Sequence, residues 1–186
     1  MSSPPALRSA LAYAAKGWPV LPLHSPIGSS PIGPGCSCGQ ASCGGKHPRS
    51  RHGFHDATID PQVIKAWWAR WPDAGVGIRT GSASGLVVID VDPAHGGQAS
   101  FNALLQDHGG LRQVPLRVRT GGDGWHLYFA HPGGSLPNDA GRRLGPGLDV
   151  RGDGGYVVAP PSIHQSTKPY RWVGGHLPLT SSTNSH

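Results

Sequence analysis

The segment Leu86–Asp92 constrains the fold of this chain more than any other, because four apolar residues lead directly into an Asp-x-Asp pair. The run of Leu, Val and Ile that ends before Pro93 predicts a buried strand. Because side chains alternate along a strand, Asp90 and Asp92 would project from the same face, about 7 Å apart. Paired carboxylates are typical ligands of Mg²⁺ or Mn²⁺. Two solvated acids at a strand end would give the same pattern, so further residues must decide.

A histidine follows on a predicted hairpin. The segments Leu116–Thr120 and Trp125–Phe129 flank the turn 121–124, whose sequence is Gly-Gly-Asp-Gly, and this pattern predicts two antiparallel strands. His126 would share a face with Tyr128, while the alternate side chains of the strand point into the core. A single histidine in a strand is usually structural, so this residue alone does not define a site.

A third acid lies on another predicted strand. Leu148–Arg151 carries Asp149 and is followed by a Gly-Asp-Gly-Gly turn and the apolar run Tyr156–Ala159. This pattern predicts a second hairpin. The chain thus offers three acids and one histidine on or beside strands.

The remaining elements indicate the fold class. Predicted helices and strands interleave in the first half of the chain, and hairpins dominate the second half. This order favours an α/β fold with a mixed, α+β-like sheet and antiparallel pairing over a doubly wound fold. Trp67, Trp68 and Trp71 on one predicted helix are either core residues or a base-stacking platform. The earlier elements are a helix over Ala6–Lys16, a strand over Trp18–Leu23, a helix from Pro61 to Trp71 capped by Asp60, a strand over Gly75–Thr80 and a helix over Gln98–Asp107.

All three cysteines lie in one glycine-rich loop. Their odd number and close spacing argue against disulfides and favour a metal site. Together with one histidine they would complete a closed Cys₃His tetrahedron around a structural Zn²⁺. The alternative is free cysteines in a flexible insertion. The predicted ligands are Cys36, Cys38, Cys43 and His47.

Composition limits the class of protein. The 186 residues suffice for one domain, and the formal charge of +6 with a pI near 9.7 suits a polyanionic partner. The charge could equally reflect compositional bias, because arginine greatly outnumbers lysine and glutamate is absent. No apolar run has the length of a membrane span and no signal-peptide core is present, so we expect a cytoplasmic protein without membrane contact.

The sequence resembles the N-terminal domain of bifunctional DNA primase/polymerases (Prim-Pol), in the archaeo-eukaryotic primase superfamily. The resemblance extends from about Ala6 to Trp172. It is carried, in order, by GWPVLPL, IKAWWARWPDAGVGIRTG, SGLVVIDVDPAHGG, VRTGGDGWHLYF and GLDVRGDGGYVVAPPSIHQSTKPYRW.

The resemblance implies roles for the acids and the histidine. Asp90 and Asp92 would form the first metal-binding motif, Asp149 would supply the third acid, and His126 would contact the nucleotide. Many members carry a serine two residues before this histidine, where Gly124 stands here. A hydroxyl contact to the phosphates must therefore come from elsewhere. The resemblance also implies an αβ subdomain and an RNA-recognition-motif-like subdomain around a cleft.

We therefore predict a nucleotidyltransferase that carries out template-directed DNA priming or polymerisation. Two Mg²⁺ or Mn²⁺ ions would support transfer from (d)NTPs onto a 3′-hydroxyl, in replication or repair of a phage, plasmid or bacterial element. The expected partners are a single-stranded DNA template, a primer and nucleotides, and a helicase module in the same or a separate chain. Additional nucleotide contacts are predicted from Arg119, Arg151, Ser162 and His164.

Residues 1–173 are predicted to form the catalytic domain, with the zinc loop 36–47 as an insertion and 174–186 as a linker or disordered tail. Two other classes remain open. Acids and a histidine around two ions would also suit a metal-dependent phosphoesterase or nuclease. A non-catalytic nucleic-acid-binding module supported by zinc is the third possibility.

Overall fold

The structure is a computed structural model that describes residues 3–30, 33–40, 43–111 and 115–174. It contains three α-helices, eleven strands and two short 3₁₀ segments within these residues. Apart from Gly174, the predicted tail 174–186 lies outside the described residues. The helices are α1 (Pro5–Ala14), α2 (Pro61–Arg70) and α3 (Gly97–Asp107). The strands are β1 (Val20–Leu23), β2 (Pro26–Ser30), β3 (Gly33–Cys36), β4 (Gly75–Arg79), β5 (Leu86–Val91), β6 (Leu116–Arg119), β7 (Trp125–Ala130), β8 (Asp139–Ala140), β9 (Leu148–Arg151), β10 (Tyr156–Ala159) and β11 (Arg171–Val173).

The strands form three antiparallel sheets. One sheet has the order β1-β4-β10, the largest has the order β11-β6-β7-β5-β9-β8, and β2 pairs with β3. All pairings between these strands are antiparallel. The predicted α/β class with antiparallel pairing is therefore confirmed.

Two predictions of local structure were wrong. The strands β9 and β10 do not form a hairpin, because β9 pairs with β5 and β8 whereas β10 pairs with β4 in another sheet. The connection between them contacts other segments of the chain, since the carboxylate of Asp153 accepts hydrogen bonds from the main-chain N–H groups of Ser82 and Leu136, both at 2.8 Å. The cysteine-containing region, predicted to lack secondary structure, contains the β2–β3 pair.

Helix α2 forms where the sequence predicts it. Asp60 caps the helix by accepting a hydrogen bond from the Gln62 N–H at 2.8 Å, and Pro61 occupies the first turn. Trp68 is buried and donates its indole N–H to the Ala74 carbonyl at 3.2 Å. Trp67 and Trp71 pack against the same core. Trp68 is therefore a core residue, while Trp67 and Trp71 are only partly buried at the edge of the same core.

The six-stranded sheet is covered on both faces. On one face, Val88, Val118 and Tyr128 join the main core with α1, α2 and the three-stranded sheet. On the other face, Leu127 and Leu148 form a smaller cluster with Phe101 of α3. The middle strands of this sheet are therefore held from both sides.

Tyr13 of α1 joins the main core to two later segments of the chain. Its hydroxyl donates to the Pro160 carbonyl at 2.7 Å and accepts a hydrogen bond from the Trp172 indole N–H at 2.9 Å. This pair of bonds ties α1 to β11 and to the segment after β10. Among the described residues, none of the helices combines the length and the apolar character that crossing a membrane requires.

Candidate active site

Three predicted site residues stand in one row across the six-stranded sheet. Asp90 of β5 is paired with His126 of β7 on one side and with Asp149 of β9 on the other. Directly paired residues of antiparallel strands share a face of the sheet. The two acids and the histidine therefore lie side by side on the face that points toward the three-stranded sheet.

Asp92 stands just beyond the end of β5 and caps the 3₁₀ segment Pro93–His95. Its carboxylate accepts the Ala94 N–H at 2.9 Å and lies 2.8 Å from His95 Nδ1. Partial burial opposes ionisation, but these hydrogen bonds hold the pKa of Asp92 below its usual value. Two glycines pack against the Asp92 main chain, since a Cβ on Gly97 or Gly147 would lie 2.6 or 2.7 Å from the Asp92 carbonyl oxygen.

The acids line an open cavity of about 630 Å³. Such a volume is within the usual range for small-molecule sites. Its walls come from β5, β9 and β10 and from the cysteine loop. The lining residues that carry charge or a titratable ring are Lys46, Asp90, Asp92, His95, His126, Asp149, Arg151, Tyr156 and Tyr170.

Burial opposes the ionisation of the two acids in the row. Desolvation raises the pKa of Asp90, with a further contribution from Asp92, and Arg151 opposes the increase. Desolvation likewise raises the pKa of Asp149, again against the effect of Arg151. A bound cation would remove this cost, and carboxylate oxygens are the ligands that Mg²⁺ and Mn²⁺ prefer. The residues present therefore fit divalent metal ions.

Arg151 forms ion pairs with two of the acids. Its Nη2 lies 2.6 Å from Asp149 Oδ2 and 3.9 Å from Asp90 Oδ2. Arg151 pairs with Val88 across β5 and β9, on the same face as the acids. The guanidinium thus balances part of their charge at the cavity wall.

His126 is buried beside Asp90. Its Nε2 lies 3.6 Å from Asp90 Oδ1, and Nδ1 is enclosed near the Val158 main chain without a hydrogen bond of standard geometry. Burial, together with the positive charges of Arg151 and Lys46, lowers the pKa of His126 to about 3. The imidazole is therefore neutral at physiological pH and can offer one N–H donor.

The close packing of the turn before His126 explains why glycine occupies position 124. A Cβ on Gly124 would lie 2.3 Å from the Val91 carbonyl oxygen, so no side chain fits there. The Gly124 N–H instead donates to the Thr120 hydroxyl at 2.9 Å. Thr120 lines a smaller recess of about 100 Å³ that also contains Asp90, Asp92 and His126.

The other predicted nucleotide contacts lie in different places. Arg119 is on the opposite face of the sheet, 4.8 Å from the ring of Trp125 and 3.8 Å from Asp123, because its strand partner is Trp125 and not His126. Ser162 is buried and bonded to the Val76 main chain, with the Val76 N–H donating to its hydroxyl at 2.8 Å. The structure brings neither residue to the cavity.

His164 does reach the site, since its ring lines the smaller recess. The Ser166 main-chain N–H donates to Nδ1 of His164 at 3.1 Å, which orients the ring. Burial lowers the pKa of His164. Of the four additional predicted contacts, Arg151 and His164 are therefore the two that lie at the site.

Lys46 is a site residue that the sequence analysis missed. It lies in the cysteine loop, far from the acids in sequence, and it lines both the main cavity and the smaller recess. The signal available in the sequence was a lysine between Cys43 and His47, in a chain with only four lysines.

The cysteine loop brings the four predicted metal ligands together. The donor atoms of Cys36, Cys38, Cys43 and His47 all lie within 4.8 Å of one another. Cys43 Sγ is 3.5 Å from His47 Nδ1. Zn–S bonds of about 2.3 Å in a tetrahedron place sulfur atoms about 3.8 Å apart, so this cluster is compatible with a structural zinc ion.

Comparison with known proteins identifies the class to which this fold and site belong. The family model described as bifunctional DNA primase/polymerase, N-terminal, matches residues 10–184, nearly the whole chain. The chain belongs to this Prim-Pol family. A search among curated proteins found no significant match. Membership in the family implies DNA and nucleotides as ligands and indicates nucleotidyltransferase chemistry in general terms.

Proposed function

We propose that this chain is a template-directed DNA primase/polymerase domain that transfers nucleotides from (d)NTPs onto a 3′-hydroxyl. The observation that carries the proposal is the row formed by His126, Asp90 and Asp149 on one sheet face, with Asp92 at the end of β5, all lining one cavity. The family match supports the same reading.

In the proposed mechanism, Asp90, Asp92 and Asp149 hold two Mg²⁺ or Mn²⁺ ions. When bound, such ions favour ionisation of a hydroxyl nucleophile and stabilise the negative charge of a pyrophosphate leaving group. Arg151 contributes a cation at the wall beside the phosphates. His126 contributes a neutral N–H donor, and its burial keeps it in a fixed orientation.

We propose a substitute for the serine that the family resemblance places two residues before His126. The Thr120 hydroxyl accepts the Gly124 N–H and keeps its own proton free to donate. Because Thr120 lines the recess next to His126, we assign the phosphate contact to Thr120 in place of Ser162. His164 is the second proposed donor of this recess.

The arrangement of the two larger sheets supports the proposed primase fold. The sheet with α1 and α2 would form the αβ subdomain, and the strands β6-β7-β5-β9 with α3 would form the subdomain related to the RNA-recognition motif. We further propose that residues 1–173 are the catalytic domain with 36–47 as its zinc-binding insertion, and that 174–186 form a linker. The proposed setting is cytoplasmic replication or repair in a phage, plasmid or bacterial element.

The decisive experiment uses labelled nucleotides on primed and unprimed single-stranded DNA with Mg²⁺ or Mn²⁺. We expect metal-dependent incorporation directed by the template. Degradation of DNA or of phosphomonoesters without any incorporation would instead establish the phosphoesterase or nuclease alternative. DNA binding with neither reaction would support the non-catalytic module.

A His126→Ala variant refines the test. If His126 contacts the triphosphate, the variant should raise the apparent KM for nucleotides or lower kcat. Binding of single-stranded template, which depends on the basic surface and weakens with salt, should be unchanged. A loss of template binding equal to the loss of turnover would contradict the assignment.

A further inference from the structure

The cysteine loop and the acid cavity are neighbours in the structure. Lys46 lies between the metal-ligand candidates Cys43 and His47, yet its side chain lines the cavity that contains Asp90 and Asp92. Lys46 also lines the smaller recess with Thr120 and His164. A loop that served only to close a metal site would not need to place a lysine there.

The path of the loop is fixed by hydrogen bonds to His24, the residue that follows β1. The Lys46 N–H donates to the His24 carbonyl at 3.0 Å, and the His24 N–H donates to the His47 carbonyl at 2.8 Å. The rings of His24 and His47 stack with their centroids 4.4 Å apart. These contacts hold the two residues that follow Gly45 in one position relative to the main core.

The backbone of Lys46 adopts a conformation that lysine rarely takes. Its φ is +75°, in the left-handed region that is strained for a residue with a Cβ. The Lys46 carbonyl is held by the Tyr156 hydroxyl, which donates to it at 3.1 Å from the first residue of β10. The conformation is therefore supported from the cavity wall as well as from His24.

The charges around the cavity indicate a ligand for this lysine. Within the described residues, the lysine and arginine side chains that line the cavity are Lys46 and Arg151. They face three carboxylates, those of Asp90, Asp92 and Asp149. If divalent ions take up the carboxylates, both cations become available to an anionic ligand. An ammonium group is a common phosphate ligand.

We propose that Lys46 binds the phosphates of the incoming nucleotide and that the metal-loaded Cys₃His cluster holds it in place. Metal occupancy of the cysteine loop then sets nucleotide affinity, and the loop is part of the nucleotide site. This inference rests on the proposed polymerase function. It adds Lys46 to the nucleotide site and makes nucleotide affinity depend on metal in the cysteine loop.

The test measures equilibrium binding of a non-hydrolysable α,β-imido deoxynucleoside triphosphate to the 186-residue chain in Mn²⁺. Lys46→Ala should weaken binding by about 10- to 100-fold, the usual effect of losing one charge-assisted hydrogen bond. Lys46→Arg should recover part of the affinity. Lys65→Ala, which removes an exposed charge from α2, is the matched control and should bind as the wild type does.

The coupling to the metal site is tested with Cys38→Ser. Elemental analysis should show loss of zinc, and the same nucleotide analogue should bind more weakly by a factor similar to that of Lys46→Ala. The double variant should bind no more weakly than the weaker single variant, because both changes remove the same contact. Thermal melting of each variant checks that the main core remains folded.

The outcomes separate this inference from the proposed function. If the wild-type chain binds the analogue and Lys46→Ala binds it equally well, the inference is overturned and the polymerase proposal stands. Additive effects of Cys38→Ser and Lys46→Ala would overturn the coupling. A wild-type chain that neither binds the analogue nor incorporates nucleotides would refute the proposed function itself.

Discussion

Asp90 and Asp149 are direct partners across β5 and β9, and the guanidinium of Arg151 approaches both, 3.9 Å from Asp90 and 2.6 Å from Asp149. Two carboxylates on adjacent strands repel each other unless a cation is present. The structure meets this requirement with an arginine on the same strand as one of the acids. A divalent ion bound at this pair would neutralise the same two carboxylates that Arg151 neutralises in part.

The first prediction concerns these acids. Asp90→Asn should lower nucleotide incorporation by at least about a hundredfold, because metal ions supply several kcal/mol of transition-state stabilisation. Thermal stability should not fall, since the change removes a carboxylate whose ionisation burial opposes. Primer extension and thermal melting are the measurements. Asp107→Asn, on the exposed end of α3, is the control, and wild-type extension by Asp90→Asn would defeat the proposed site.

The second prediction tests the turn before His126. Gly124→Ser would place a Cβ 2.3 Å from the Val91 carbonyl, so we expect it to destabilise the fold by about 1–3 kcal/mol and not to restore a phosphate contact. Gly122→Ser is the matched control, because the nearest atoms to its Cβ are 3.7 Å away. Chemical unfolding of both variants gives the comparison. Equal stability of the two would show that the close approach at Gly124 is not a constraint.

The third prediction concerns Asp153 and pH. Main-chain hydrogen bonds from Ser82 and Leu136 lower the pKa of Asp153 to about 2. Because its ordinary pKa is about 3.9, this carboxylate stabilises the fold above about pH 4 and loses that effect as the pH falls toward 2. Asp153→Asn should therefore be less stable than the wild type at neutral pH, and the difference should shrink on acidification.

Urea unfolding of the wild type and Asp153→Asn at several pH values provides the measurement. An amide has only one oxygen, so it cannot accept both the Ser82 and the Leu136 N–H as the carboxylate does. Asp107→Asn should be indistinguishable from the wild type throughout. A stability difference for Asp153→Asn that grows toward low pH would contradict the assignment.

The sequence predicted the elements that depend on neighbouring residues better than the pairings that depend on distant segments. The strand β5 and the capped helix α2 were predicted closely, because an apolar run and an Asp-Pro start act over a few residues. The predicted hairpin of β9 and β10 was wrong, because the partners of these strands, β4, β5 and β8, are set by contacts between segments distant in sequence, which a local turn signal does not report.

The candidate site follows the same pattern. The sequence motifs identified Asp90, His126 and Asp149, and strand register then placed them in one row. Register also decided the position of Arg119: it pairs with Trp125, while Val118 pairs with His126, and so it lies on the far face. The position of Lys46 at the cavity was not predicted, because the path of a glycine-rich loop leaves no periodic signal in the sequence.

The last prediction concerns Tyr13, which joins α1 to the segments that follow the site. Tyr13→Phe removes the donor to the Pro160 carbonyl and the acceptor for the Trp172 indole N–H. Leaving buried polar groups without partners costs about 1–3 kcal/mol, so urea unfolding should show a loss of this size. Trp172→Phe should lose less stability in the Tyr13→Phe background than in the wild type, because the two residues share one hydrogen bond. Strictly additive losses would mean that the Tyr13–Trp172 bond contributes nothing to stability.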